Sequence, residues 1–437
     1  MPMVSFDVEF DKDGKPFDAK QVDAVLDAVS GLTDLFVISH GWNNNIAEAR
    51  SLYDNLFSSV EKVQGLELVD GLDGRTFGQL RVFWPSKKFD DSELIPGGGA
   101  AGLTSENDQV LLDLLEKLKD DAPRLGVPAE DPARTAAIER AKELVPSLEN
   151  DAGARKEFVE KLRSILDRGD AHTEDGSKEF FESDPEDLFT ALQDGVTAPV
   201  AAPKGGAAAL GAEGGAAGLK ELASGVTAAA RRITNFTTYY EMKERAGTVG
   251  RVGLSAVLRR IRQKNPNLKL HLIGHSFGGR LVTAAADALD ANTPKITVTL
   301  LQAAYSHNGL SSKFDGKSDG LFRKVLSEKR VSGPILITHT KNDRAVGIAY
   351  PLASRISNVK AAALGDENDP YGGMGRNGAQ KTPEAQGNAG DLLPVGGTYA
   401  FAAGKVHNLK ADEFIKGHSD ITGPQVAYAL LNSVREC

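Results

Sequence analysis

Apolar and polar residues alternate near the start of the chain: Val4, Phe6, Val8 and Phe10 are separated by serine or acidic residues. A period of two predicts a half-buried strand. Asp11-Lys12-Asp13-Gly14-Lys15 breaks the pattern. Its carboxylates look faintly like a calcium loop, but the EF-hand spacing is not kept and Asp-Gly marks a turn, so a turn is expected. Residues 18 to 29 place Val22, Val25, Leu26 and Val29 at helical spacing. Leu35-Phe36-Val37-Ile38 is a continuous apolar run, the pattern of a strand buried on both faces. A helix over about Asn45 to Val63 follows, then a strand over Leu80 to Trp84, stopped by Pro85.

From Lys87 to Thr238 the strand signals vanish, and amphipathic helical stretches take over at Gln109 to Leu118, Pro132 to Leu144 and Glu157 to Leu166. Thr197 to Gly218 is mostly Ala and Gly, with Pro199 and Pro203, a composition that buries little and fits a linker or loose turns. The α/β pattern then resumes. Met242 to Ile261 reads as a helix and Leu268 to Ile273 as a strand, followed at once by Gly274 and a helix to Leu289. Ile296 to Leu301 and Pro334 to Thr338 read as strands, 362 to 395 as a long Gly-, Asn- and Asp-rich loop, Tyr399 to Ala402 as the last strand, and Gly423 to Val434 as a closing helix.

Strands alternating with helices predict an α/β fold with a mostly parallel central sheet and helices on both faces. The expected organisation is a core of residues 1–86 and 239–437, with 87–238 as a helical cap inserted into it. A separate helical domain is the alternative. No internal repeat is seen.

Composition narrows the partners. The 437 residues are 41% hydrophobic, ample for a large core. The formal charge of -9 and pI of about 5.5 give no general attraction to phosphate backbones, so nucleic acid is not expected. Arg231-Arg232 and the group Arg259, Arg260 and Arg262 read as solvated helix faces. The single cysteine, Cys437, can form neither an internal disulfide nor a zinc set. The first ten residues lack the apolar run of a signal peptide, and no stretch approaches the ~20 apolar residues that span a bilayer. Cytoplasmic residence is the expectation, with export that needs no signal peptide left open.

The sharpest chemical signal is Gly274-His275-Ser276-Phe277-Gly278, a G-x-S-x-G pattern placed between a predicted strand and a predicted helix. A serine on so tight a turn needs neighbours with almost no side chain two residues away on each side. The turn lifts Oγ above the sheet edge at a helix N-terminus, where the dipole favours developing negative charge. Ser39-His40-Gly41-Trp42-Asn43 follows an early buried strand. There Gly41 permits close backbone approach, and His40 suits a ring that braces the loop.

On these two segments the chain resembles the α/β-hydrolase family, over residues 1 to 85 and 240 to 437. The resemblance implies an oxyanion hole built from the backbone N–H of Trp42 and of Phe277, and the chain order nucleophile, acid, base. Ser276 takes the first place. Asp343, in Thr338-His339-Thr340-Lys341-Asn342-Asp343, falls where the family carries its acid. His418, in Gly417-His418-Ser419-Asp420, falls where it carries its base. Asp366 and Asp369, which with Asn368 offer a weak calcium alternative, are poorer candidates for the acid, and His407 is a poorer one for the base. Asp420 reads as a helix cap. Val82 to Ser86, Tyr240 to Lys243 with Arg245 to Gly247, and Tyr371 to Gly375 with Asn377 to Ala379 resemble a bacterial subgroup of the fold without an assigned activity.

The expected function is hydrolysis of a small-molecule or lipid carboxylic ester by a Ser-His-Asp triad through an acyl-enzyme, with neither cofactor nor metal. His40, Gly41, His275, Trp84 and Tyr305 are expected to line the site; the aromatics among them could equally be core. A peptidase or amidase of the same fold, a lyase on that scaffold, and a catalytically silent binding protein are the alternatives. Oligomeric state is not legible.

Overall fold

The computed structural model describes residues 3–86, 104–119, 131–169, 171–193, 225–343, 345–346 and 370–437. The Ala/Gly-rich stretch 197–218 and Asp366, Asn368 and Asp369 lie outside the described residues.

Eight strands form one sheet: β1 (Val4–Glu9), β2 (Asp34–Ser39), β3 (Phe77–Phe83), β4 (Lys269–His275), β5 (Ile296–Leu301), β6 (Ile335–His339), β7 (Gly390–Asp391) and β8 (Val406–Lys410). Their order is β1-β3-β2-β4-β5-β6-β8-β7, and every pairing is parallel. The parallel α/β architecture expected from the alternation is thus observed. All six residues of β2 and of β5 are buried, which is why these strands read as apolar runs.

The helices are α1 (Ala19–Ala28), α2 (Ile46–Gln64), α3 (Thr104–Lys117), α4 (Pro132–Leu144), α5 (Ala152–Ser164), α6 (Ser177–Glu182), α7 (Pro185–Leu192), α8 (Val226–Thr248), α9 (Ser255–Lys264), α10 (Phe277–Asp287), α11 (Lys324–Ser327), α12 (Met374–Asn377) and α13 (Pro424–Arg435). Their buried residues fall into three cores, two of which lie one on each face of the sheet. One joins Val22 and Val25 of α1, Leu258 of α9 and Leu281 of α10 to Val37 and Leu272. The other joins Tyr53 and Leu56 of α2 and Leu430 of α13 to Phe36 and Ile273. A third core gathers Leu111, Ile138, Phe158, Phe180 and Leu188 around Ile233, Phe236 and Tyr240 of α8. Met242 and Ala246, further along α8, belong to the first core, so this helix runs from one core into the other.

Several boundaries differ from the sequence reading. The helix expected from Met242 begins at Val226 and carries a π-helical stretch, Val249–Leu254, before α9. The π-helical stretch packs closely: a Cβ on Gly250 would come 2.1 Å from the Leu281 carbonyl oxygen, and one on Gly253 would come 2.5 Å from that of Gly14. The last strand of the core is not Tyr399–Ala402 but β8, whose polar His407 and Asn408 hid it. Tyr399 and Phe401 instead stack on each other, ring centroids 4.6 Å apart, and fill the second core. The described part of the expected loop, from Pro370, holds α12 and a short 3-10 turn, Pro383–Ala385, and packs on the strand ends. At Asp11–Lys15 the chain makes the expected turn, with Asp11 Oδ1 accepting from the N–H groups of Asp13 and Lys15 at 2.9 and 2.8 Å. Among the described residues no helix is long and apolar enough to cross a membrane.

Candidate active site

The chain leaves β2 for β3 on one side, while β4, its neighbour on the other side, continues to β5 further away. Where strand connections diverge in this way, the carboxyl ends of the two strands open a crevice that favours ligand binding. The β2–α2 loop (residues 40–45) and the turn after β4 flank that crevice.

Ser276 occupies the β4–α10 turn with φ 55 and ψ -125, a conformation rare for a side-chain-bearing residue. The strain is held by hydrogen bonds. Ser276 N–H donates to the Leu301 carbonyl at 3.1 Å, and the Ser276 carbonyl accepts from Gly279 at 2.9 Å and from Ala304 at 3.0 Å. The flanking glycines are required for space: a Cβ on Gly274 would come 2.3 Å from the Gly278 carbonyl oxygen, and one on Gly278 would come 2.2 Å from that of Ser39. Phe277 is the first residue of α10, so its N–H has no intrahelical acceptor and stands at the positive end of the helix dipole.

The β2 loop lies directly against this turn. A Cβ on Gly41 would fall 2.5 Å from the Ser276 Cβ and 3.0 Å from Oγ. Trp42 packs on Phe277, ring centroids 5.9 Å apart, and Tyr239 of α8 closes on Phe277 at 5.1 Å. His40 is buried behind the loop. Its Nδ1–H donates to the Gly41 carbonyl at 2.9 Å, and its Nε2 accepts from the Trp84 N–H at 3.3 Å. Those partners fix one neutral tautomer, and burial pushes the imidazole down to about 4. Trp84 stacks on His40, centroids 5.6 Å apart, and its Nε1–H donates to the His40 carbonyl at 3.0 Å. Trp84 therefore supports the loop from within the core. Tyr305, expected at the site, packs edge-on against Phe322 and shares a 3.2 Å hydrogen bond with Thr283 on α10, again as a buried support.

His418 and Asp343 meet across loops that follow β8 and β6. His418 Nδ1–H donates to Asp343 Oδ2 at 2.8 Å. The Asp343 side chain is fully buried and that of His418 is 20% exposed. Asp343 Oδ1 accepts from the Val346 N–H at 3.0 Å, so its position just before a helical turn also serves as a cap. The His275 ring lies 4.9 Å from that of His418, and His275 Nε2–H donates to the His418 carbonyl at 2.9 Å. Among the described residues no hydrogen bond joins Ser276 Oγ to His418. Asp420 does not cap α13, whose N-cap is Gly423. It accepts instead from the Lys416 N–H at 2.9 Å and closes the tight loop around His418. His407 sits within β8, its ring edge-on to Phe401, away from these groups.

Two contributors were not foreseen. Gln302, at φ 47 just after β5, donates from Nε2 to Asp343 Oδ2 at 3.3 Å and to the Gly375 carbonyl at 2.9 Å, while its Oε1 accepts from Thr338 at 3.0 Å. Arg376 on α12 donates to the carbonyls of Lys341 at 3.0 Å and Asp343 at 3.4 Å. The signal for Gln302 was available: it is a lone amide between an apolar strand and Ala303-Ala304.

Among the described residues no group of three or more His, Cys, Asp or Glu side chains could hold a metal ion. The arrangement offers a hydroxyl on a strained turn at a helix N-terminus, and an imidazole whose outer nitrogen is set by a buried carboxylate. These are the parts that general-base activation of a nucleophile uses. Comparison with protein-family models, with curated proteins and with solved structures gives no match.

Proposed function

We propose that the chain is a serine hydrolase of the α/β-hydrolase type that cleaves carboxylic esters. The observation that carries the reading is the 2.8 Å His418–Asp343 bond, set beside a serine held at positive φ between a strand and a helix. His418 takes the Ser276 proton as Oγ attacks the acyl carbon, while Asp343 fixes the tautomer and stabilises the imidazolium. The oxyanion is received by the backbone N–H groups of Phe277 and Trp42. The proton passes to the departing alkoxide, and water then cleaves the acyl-enzyme and restores Ser276. The close approach of Gly41 to Ser276 supports the assignment of the β2 loop to the oxyanion hole. The partly exposed Trp42, packed on the buried Phe277, supports an apolar acyl group rather than a charged one.

A fluorophosphonate probe tests this, with adducts located by mass spectrometry. The expected outcome is labelling at Ser276 that is lost in Ser276→Ala. A folded chain that takes no label would leave a silent member of the fold, used for binding, as the better account.

A further inference from the structure

Resting on the hydrolase reading, we infer that His275 is a positioning residue: its Nε2–H holds the backbone of His418 and so limits where the base can stand relative to Ser276. The 2.9 Å bond to the His418 carbonyl links the residue next to the nucleophile directly to the residue that carries the base. His418 and Ser276 come from loops that follow β8 and β4, two strands separated in the sheet by β5 and β6. A long base loop has many ways to miss its target, and a misplacement of about 1 Å can cost about 10²-fold in rate. The bond from His275 removes that freedom at the base's own peptide unit.

The chemistry of the ring argues for this role over plain packing. His275 is only 4% exposed, and its Nδ1 has no hydrogen-bond partner among the described residues. An apolar side chain would fill the same space without a buried orphan nitrogen, which carries a desolvation penalty. What the histidine supplies is the single N–H at Nε2. Burial and the neighbouring His418 hold the ring neutral, its pKa pushed down to about 3, so the donor stays on Nε2 with Nδ1 bare. The 4.9 Å ring-to-ring contact with His418 limits tilting of the base as well.

The test is a pair of amides, His275→Gln and His275→Asn. The Gln amide reaches the place of Nε2, whereas the Asn amide reaches only the place of Nδ1. Both variants are polar and of similar bulk, and their melting curves confirm folding. The rate of fluorophosphonate labelling at Ser276 and the kcat and KM for a p-nitrophenyl ester are then compared. Labelling and kcat for the Asn variant are expected to fall about 10²-fold with KM within about twofold, while the Gln variant keeps rates within about tenfold of the parent. Equal rates in the two variants, whether both fast or both slow, would overturn the inference while the labelled parent still supports the hydrolase. A parent chain that takes no label at Ser276 sinks the hydrolase reading, and the positioning role goes with it.

Discussion

Gly41 and Ser276 are in such close apposition that a Cβ on Gly41 would come 2.5 Å from the Ser276 Cβ. No such contact is tolerated between real side chains, so the backbone of the β2 loop can lie beside Ser276 only as glycine. Gly41→Ala must displace either the loop or the serine. The expected result is a fall of about 10²-fold in the rate of labelling at Ser276, with a folded chain by circular dichroism. Labelling within twofold of the parent would show that the loop takes no part in the chemistry.

Asp343 binds His418 through Oδ2, and Gln302 donates to the same oxygen. Asp343→Asn keeps the shape but favours the wrong imidazole tautomer, so ester hydrolysis should drop by about 10⁴-fold, as such a change does in the Ser-His-Asp template. Gln302→Leu should have a smaller effect on rate. It also takes the Oε1 acceptor from the buried Thr338 hydroxyl and one of two donors from the Gly375 carbonyl, which keeps the Thr340 N–H, and should lower stability by about 1–3 kcal/mol in urea unfolding. A Gln302→Leu chain as stable as its parent would remove the support assigned to this side chain.

Lys243 on α8 is 1% exposed and bonds Asp175 Oδ2 at 2.6 Å. Arg280 on α10 donates to the Lys243 carbonyl at 2.9 Å, so the pair fastens the 172–177 segment to the helix that begins just after Ser276. Lys243→Met strands a buried carboxylate, and breaking such a pair destabilises by about 3–5 kcal/mol. Thermal and urea unfolding are expected to show that loss. Asp175→Asn combined with Lys243→Met should recover part of it, and a double variant no more stable than the single one would argue against the pairing.

Stability should also depend on acid in a stated window. Burial pushes His40 down to about 4 and both His275 and His307 to about 3, against about 6.5 in an unfolded chain. Such depressed groups contribute stability that is whole above about 6.5 and is lost as pH falls toward their folded values. Glu174 acts in the opposite sense. Burial, then the charge of Asp175, raises it to about 8, so its contribution is whole below about 4.5 and is lost as pH rises through about 8. Near pH 5.5 three histidines oppose one glutamate, a net slope of about 3 kcal/mol per pH unit from these groups. The melting temperature should therefore fall steeply from pH 6.5 to 5. A flat or rising curve over that range would contradict the buried, neutral state of these rings.

Much of the fold is written locally. Apolar runs such as Leu35–Ile38 and Ile296–Leu301 announce strands buried on both faces, and their alternation with helices dictates a parallel sheet. The strand-turn-helix around Ser276 is equally local, because glycines at 274 and 278 are the condition for such a turn. Neither an Asp420 cap nor a Tyr399–Ala402 strand forms, for one reason: residue type within a short window favours them, whereas pairing with β6 and the start of α13 decide the outcome.

By itself, then, the sequence determined the class of fold and the residue types of the candidate site, in an order that suits the chemistry. Only the tertiary structure decided which of those residues meet. Asp343 and His418 are 75 positions apart and become partners because β6 and β8 are adjacent. Gly41 reaches Ser276 because β2 and β4 are adjacent at the point where the connections diverge. The same geometry sent Trp84 and Tyr305 into the core and brought Gln302, Arg376 and His275 to Asp343 and His418. Periodicity along a chain specifies which face of an element is buried, but the register and order of strands follow from packing among all of them at once.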